Sequence, residues 1–180
     1  MPSSKSTKSA PQKYLVDTCI FVHAFCEGIN NLPDAIEASS LQNTIEASRQ
    51  LFKRAETGNL KIFVSAVTVA EVLAINYLRR DDPRKPASAR RRNDERTNLK
   101  KWLQAYTITV EIDQSLAFEA GDAGQEHLFK GADALIYASA LDAEVDALIT
   151  TDKGLLKANS LKLRVIKPTQ IEMQTILPIN

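Results

Sequence analysis

GADALIYASALDAEVDALITTDKGL, residues 131–155, sets the pattern from which the rest of the chain can be read. Ala132 to Ala143 is an apolar, alanine- and leucine-rich stretch of helical length, and Ala147 to Thr150 is a short apolar run of strand length. Two residues later comes Asp152, ahead of a short helical segment, Lys153 to Lys157. The same order recurs along the chain. Tyr14 to Val16 is an apolar run that ends on Asp17, and Lys61 to Val64 reads as a buried strand. It leads into Thr68 to Leu78, apolar around most of its circumference and therefore a buried helix, which carries Glu71. Between them, Leu41 to Thr57 places Leu41, Ile45, Ser48 and Phe52 on one helical stripe, stopped by Gly58-Asn59. A helix from Ala87 to Ala105, a β-branched run from Thr107 to Ile112, a helix from Ser115 to Phe129 set off by Gly131, and a strand from Leu163 to Ile166 closed by Pro168 complete the series. Strand and helix alternating in this way predict an α/β domain. Its expected form is a three-layer α/β/α sandwich around a mainly parallel sheet of four to five strands.

Length and composition agree with one soluble domain. The chain has 180 residues, 44% hydrophobic and 25% charged, and a chain of this size buries roughly 70% of its unfolded surface without help from disulfides or a structural metal. Cys19 and Cys26 are too few for a disulfide framework or a zinc site, and suit reduced thiols in a cytoplasmic protein. No run approaches the roughly 18 apolar residues of a membrane span, and the opening lacks the apolar core of a signal peptide. The expected organisation is a flexible basic tail over 1–12, the domain over 13–170 and a C-terminal tail over 171–180. The net charge of +1 conceals a division. Residues 79–101 hold ten Lys or Arg against four acids, a local net of +6 on an otherwise acidic body.

Asp17, Glu71 and Asp152 each follow a strand. In a parallel sheet the strand C-terminal ends share one edge, which is where such folds bind ligands, so the three carboxylates should converge. Asp133, in the first turn of the helix beginning at Ala132, can face the same edge. Four carboxylates in one cleft repel unless they share a cation. Hard divalent ions, Mg2+ or Mn2+, prefer such oxygen ligands, and the chemistry they support at a phosphodiester is hydrolysis, by lowering the pKa of bound water and neutralising the leaving oxygen. Each acid also has a structural reading. Asp17 (or Thr18) and Asp152 could cap helices. Thr68-Val69-Ala70-Glu71 has capping-box spacing, and Asp133 would favour a helix N-terminus through the macrodipole.

YLVDTCIF (14–21), FVSAVTVAEVLA (63–74), GADALIYASAL (131–141) and LITTDKGL (148–155) together resemble the four acidic motifs of the PIN domain, in order and over nearly the whole chain. The resemblance implies a metal-dependent ribonuclease with an α/β/α sandwich, leaving 5′-phosphate and 3′-hydroxyl ends. It also implies, in the small bacterial VapC-type members, a toxin neutralised by an antitoxin partner. Carried over by position, it makes Asp17, Glu71, Asp133 and Asp152 the catalytic and metal-holding acids. Thr18 and Thr150 become supporting hydroxyls that orient carboxylates or water. The sequence departs from the family where an aromatic often follows the last acid, since Gly154 and Leu155 stand there. RNA is the expected substrate and a homodimer the expected assembly.

The basic segment supplies Arg84, Lys85, Arg90, Arg91 and Arg92 as expected phosphate contacts, against the simpler reading of a solvated helix face. Trp102 is expected to be buried rather than to stack on a base, His127 to be solvated, and the two cysteines to be small core residues. His23, six residues past Asp17, is either a core or capped histidine or a group near phosphate. Two rivals differ in class. One is a PIN-like module that binds nucleic acid or protein without turnover. The other is a phosphatase of the haloacid dehalogenase type, which needs a second Asp where this chain has Cys19.

Overall fold

The computed structural model describes residues 10–25, 35–75 and 86–171, without the side chains at 35–38 and 86–92. Strand β1 (Gln12–Val16) can be apolar at consecutive positions because both of its faces are covered. Tyr14, Leu15 and Val16 are each at most 5% exposed. Since successive side chains point to opposite faces, Tyr14 and Val16 enter one core cluster and Leu15 the other. Strand β4 (Ala147–Ile149) repeats this, with Ala147 and Ile149 on the first side and Leu148 on the second. With β2 (Leu60–Ser65), β3 (Thr107–Val110) and β5 (Val165–Ile166) they form a five-stranded sheet in the order β3-β2-β1-β4-β5, every pair parallel. Tyr14 stands opposite Ile62 on one side and Ala147 on the other.

Helices α1 (Thr18–Phe25), α2 (Ala35–Glu56), α3 (Ala66–Ala74) and α4 (Pro86–Tyr106) feed the first cluster through Phe21, Phe52, Val72 and Leu103. Helices α5 (Gln114–His127), α6 (Gly131–Asp142) and α7 (Lys153–Leu156) feed the second through Leu116, Ile136 and Leu155. The expected three-layer sandwich is the observed architecture. Helix α2 ends as its sequence predicts. Gly58 takes a left-handed φ of 73°, its N–H donates to Ala55 O at 3.0 Å, and the Asn59 N–H donates to Arg54 O at 3.0 Å, the paired bonds of a Schellman cap.

Some boundaries move for local reasons. Helix α2 begins before Leu41, at Ala35, because its opening residues AIEASS carry no pair of large apolar residues at helical spacing to read. The break after α5 is not at Gly131, which is the first residue of α6. It falls at Leu128, which caps α5 in a left-handed conformation, φ 59°, with its side chain 89% exposed. Pro168 ends β5 by opening a 3-10 turn, Pro168–Gln170. Helix α3 runs from Ala66 to Ala74, ending short of the expected Leu78 because Ile75 leaves the helical conformation (φ −54°, ψ 138°), while residues 76–78 and the tail residues 1–9 and 172–180 lie outside the described residues.

One polar contact inside the core fixes the layers relative to each other. Ser139 Oγ on α6 donates to Leu135 O at 2.7 Å and stands 3.0 Å from Ser65 Oγ at the end of β2, both serines being fully buried. This locks α6, which carries Asp133, against the strand that leads into the helix of Glu71. The chain crosses from β1 outward to β2 and β3, then returns to place β4 on the other side of β1. The strand order therefore reverses between β1 and β4, and the crevice beyond their C-terminal ends is where open α/β sheets hold ligands. Among the described residues no helix is long and apolar enough to cross a membrane.

Candidate active site

Asp17 follows β1 directly and is 6% exposed. Its backbone N–H donates to Ile149 O of β4 at 3.0 Å, which continues the sheet one residue past the strand. A buried carboxylate needs donors, and Asp17 has two on one oxygen: Thr150 Oγ1 donates to Oδ2 at 2.6 Å and Cys19 Sγ at 3.1 Å. Thr150, fully buried at the end of β4, also accepts from the Asp152 N–H at 2.9 Å. One hydroxyl therefore joins the first and last acids across the switch point.

Thr18, the first residue of α1, donates through Oγ1 to Glu71 Oε2 on α3. The capping-box reading of Thr68 and Glu71 is thus overturned. Helix α3 starts straight after β2 with Ser65 at its N-cap, so Thr68 lies inside the helix with a buried hydroxyl that has no hydrogen-bond partner. Glu71 is free to reach the acidic edge instead. The capping reading of Asp152 is realised for one of its oxygens. Oδ1 accepts from the N–H groups of Gly154 at 2.7 Å and Leu155 at 3.0 Å. A Cβ at position 154 would lie 2.9 Å from that Oδ1, so a larger residue there would push the carboxylate oxygen from its present place. Leu155 then fills the second core cluster, and the turn is anchored without the aromatic common in related motifs.

Asp133 sits half-buried in the first turn of α6. Its carboxyl is pushed above the ordinary carboxylate range by burial first, then by the negative charges of Asp152, Asp17 and Glu71, with Lys130 opposing. Those three perturbers are the other three acids, so the four carboxylates share one electrostatic environment. They are held apart: among the described residues no three acidic, histidine or cysteine side chains form a ready metal-holding group. Each of Asp17, Glu71 and Asp152 instead gives one oxygen to a hydroxyl, thiol or backbone donor. A set of carboxylate and hydroxyl oxygens with unrelieved mutual repulsion fits a hard divalent cation.

The sign of the Asp133 shift gives a prediction. Because its folded-state proton affinity is raised, the folded protein binds that proton more tightly than the unfolded chain, and this contribution to stability is lost as pH rises through the raised value. Above it the repulsion is present in full. Asp133→Asn should therefore raise the Tm of the cation-free protein near neutral pH, and the gain should shrink on acidification towards the ordinary carboxylate range. A Tm series over that interval measures both.

Two residues of the site were not assigned to it by sequence reading. Cys19, expected to be a core filler, is tied in by its bond to Asp17 and by the Thr151 N–H, which donates to its sulfur at 3.3 Å. Burial and the Asp17 charge push its thiol up to about 11, so it remains an S–H donor at neutral pH. His23 Nε2 lies 3.3 Å from Thr151 Oγ1, Nδ1 is buried without a partner, and burial pushes the ring below its ordinary 6.5. Both touch the segment between Thr150 and Asp152, a contact that spacing does not reveal for Cys19 and that for His23 agrees with one of its two readings, a place near the site. Elsewhere, Trp102 packs edge-on against Phe21, Phe25 and Phe52 and donates through Nε1 to Glu56 at 2.6 Å, as its helical spacing predicts. His127 departs from the solvated expectation and packs between Phe129 and Tyr137 at ring separations of 5.1 and 5.0 Å. Arg90, Arg91 and Arg92 lie in the opening turns of α4, while Arg84, Lys85 and Cys26 are outside the described residues.

The family described as the PIN domain matches residues 14–161 of the chain, a span that contains all four acids. No curated protein matches. Among solved structures, a toxin-antitoxin complex from Klebsiella pneumoniae is 19% identical with a TM-score of 0.55, covering 86% of this chain and 97% of its own. VapBC2 from Rickettsia felis, bound to a DNA fragment from its promoter, is 16% identical with a TM-score of 0.52 over 86% and 97% of the two chains. FitAB bound to the IR36 DNA fragment is 17% identical with a TM-score of 0.55 over 89% and 99%. At these identities the likeness is one of fold.

Proposed function

The chain belongs to the PIN domain family, whose members are in general nucleases, and from that membership we propose that it is a Mg2+- or Mn2+-dependent endoribonuclease with Asp17, Glu71, Asp133 and Asp152 as its metal-holding acids. The observation that carries this reading is the hydroxyl linkage at the switch point, where Thr150 donates to Asp17 and accepts from the Asp152 N–H while Thr18 donates to Glu71. When bound, a divalent ion supplies positive charge at the phosphodiester and a lowered pKa for water. The chain's own part is positional. Thr150 and Cys19 engage Oδ2 of Asp17 and leave Oδ1 uncommitted, Thr18 fixes one oxygen of Glu71, and the Gly154 turn fixes one oxygen of Asp152. Asp17, Glu71 and Asp152 thus each offer a carboxylate that is already ordered.

Incubation of the purified chain with single-stranded and structured RNA, with Mn2+ and with a chelator, tests the proposal directly. Cleavage with Mn2+ that stops on chelation is expected. Cleavage indifferent to chelation refutes the metal-holding role. No cleavage of either RNA favours the second reading, a PIN-like module that binds without turnover, which draws on the separation of the acids among the described residues.

The same reading takes in a cytoplasmic protein, a homodimer and an antitoxin partner, the last suggested by the fold shared with proteins solved in toxin-antitoxin complexes. It also gives Arg84, Lys85, Arg90, Arg91 and Arg92 to the RNA backbone, because an acidic edge must be approached by a polyanion. Replacing Arg90, Arg91 and Arg92 by Ala should lower the slope of log affinity against log salt by about two for single-stranded RNA. An unchanged slope, measured by filter binding, returns the segment to a solvated helix face.

A further inference from the structure

Between α5, α6 and the segment that leads into β5 lies a groove of about 480 Å³. Glu119, Asp122 and Glu126, all exposed and one helical turn apart on α5, form one wall. Tyr137 lies beneath, and Leu141 and Leu161 form the other side, Leu161 fully exposed and Leu141 37% exposed. Lys162 is the one ammonium in the lining. Leu141 is eight residues beyond Asp133 on α6, roughly 12 Å along a helix. This places the Leu141 side of the groove away from Asp133.

Exposed apolar side chains grouped beside a charged rim mark a surface that is covered in use. The charge of the rim says by what. Three carboxylates against one ammonium repel an acidic partner, and they repel the same face of a second copy across a two-fold axis, where like would meet like. We propose that this groove docks a basic amphipathic helix of another protein, its apolar face on Leu141 and Leu161 and its lysines or arginines on Glu119, Asp122 and Glu126. The site is independent of the nuclease reading.

The probe is a fluorescent synthetic peptide with leucines at i, i+3, i+4 and i+7 and lysines on the opposite face, measured by anisotropy at low salt, with a glutamate-for-lysine peptide as control. Full-length wild type should bind the basic peptide and not the acidic one. Glu119→Lys, Asp122→Lys and Glu126→Lys combined should weaken binding by about tenfold or more, and Leu161→Asp by about tenfold, with Tm unchanged because all four positions are exposed. Asp17→Asn and Asp152→Asn should bind as wild type does. Wild-type binding by the triple variant, or its loss in the Asp17 and Asp152 variants, overturns the proposal by moving the peptide elsewhere. Full affinity in Leu161→Asp overturns it by leaving charge alone. Self-association of the chain that Leu161→Asp abolishes overturns it in favour of a second copy.

Discussion

Asp17→Asn should lower Mn2+-dependent RNA cleavage by about a thousandfold, because a cation at such a site contributes several kcal/mol of charge stabilisation and each factor of ten in rate corresponds to about 1.4 kcal/mol. The substitution is close to isosteric, and the amide oxygen can still accept from Thr150 Oγ1, now 2.6 Å from the carboxylate. Fold and activity are therefore separable. Single-turnover rates at saturating Mn2+ give the activity, and the thermal midpoint gives the fold. The buried position, 6% exposed, also means the wild-type carboxylate is a desolvated charge in the absence of a cation. Asp17→Asn is thus expected to keep or raise the midpoint while activity collapses. Rates within tenfold of wild type would remove Asp17 from the chemistry.

The second large effect is expected at a residue without charge. Thr150→Val keeps the shape of a fully buried side chain and deletes a hydroxyl that donates to Asp17 and accepts from the Asp152 N–H. No cavity forms, so the loss is that of two buried hydrogen bonds and of partners left without them, about 1–3 kcal/mol. At roughly 2–4 °C per kcal/mol for a chain of this size, calorimetry should resolve the drop. The same hydroxyl orients two acids, and the loss of an orienting group typically weakens metal binding about 10- to 100-fold. Thr150→Ser should restore most of the Mn2+ affinity, measured by titration calorimetry, because it returns the hydroxyl and lacks only a methyl. Unchanged Mn2+ affinity in Thr150→Val would reduce Thr150 to a structural role.

The fold was legible wherever burial leaves a mark on local sequence. Tyr14 to Val16 and Ala147 to Ile149 are continuous apolar runs because their neighbours cover both faces, and the acids that follow them mark the strand ends. Local patterns misled where tertiary structure supplied a different partner. Thr68 and Glu71 have capping-box spacing, yet β2 runs into α3 without a loop, so the helix starts at Ser65 and the glutamate is claimed by Thr18, 53 residues away. Cys19 is a small apolar residue by every local measure, and its place at the site depends on Thr151, 132 residues distant. His127 looked solvated in a polar stretch. It is packed because the chain reverses through the left-handed turn at Leu128 and brings Phe129 and Tyr137 against the ring.

The strand order has a consequence for the newly made chain. β1 is first in sequence and central in space, and its second edge stays unpaired until β4 has been synthesised. A growing chain that has produced β1, β2 and β3 with their helices therefore exposes an open, apolar strand edge during most of translation, a surface prone to pairing with other chains. By the same connectivity Asp17 has neither its Ile149 backbone partner nor its Thr150 hydroxyl until the last part of the domain leaves the ribosome. Any product truncated before Thr150 lacks the assembled acidic edge, so that edge is completed only when the last strands of the sheet have been made.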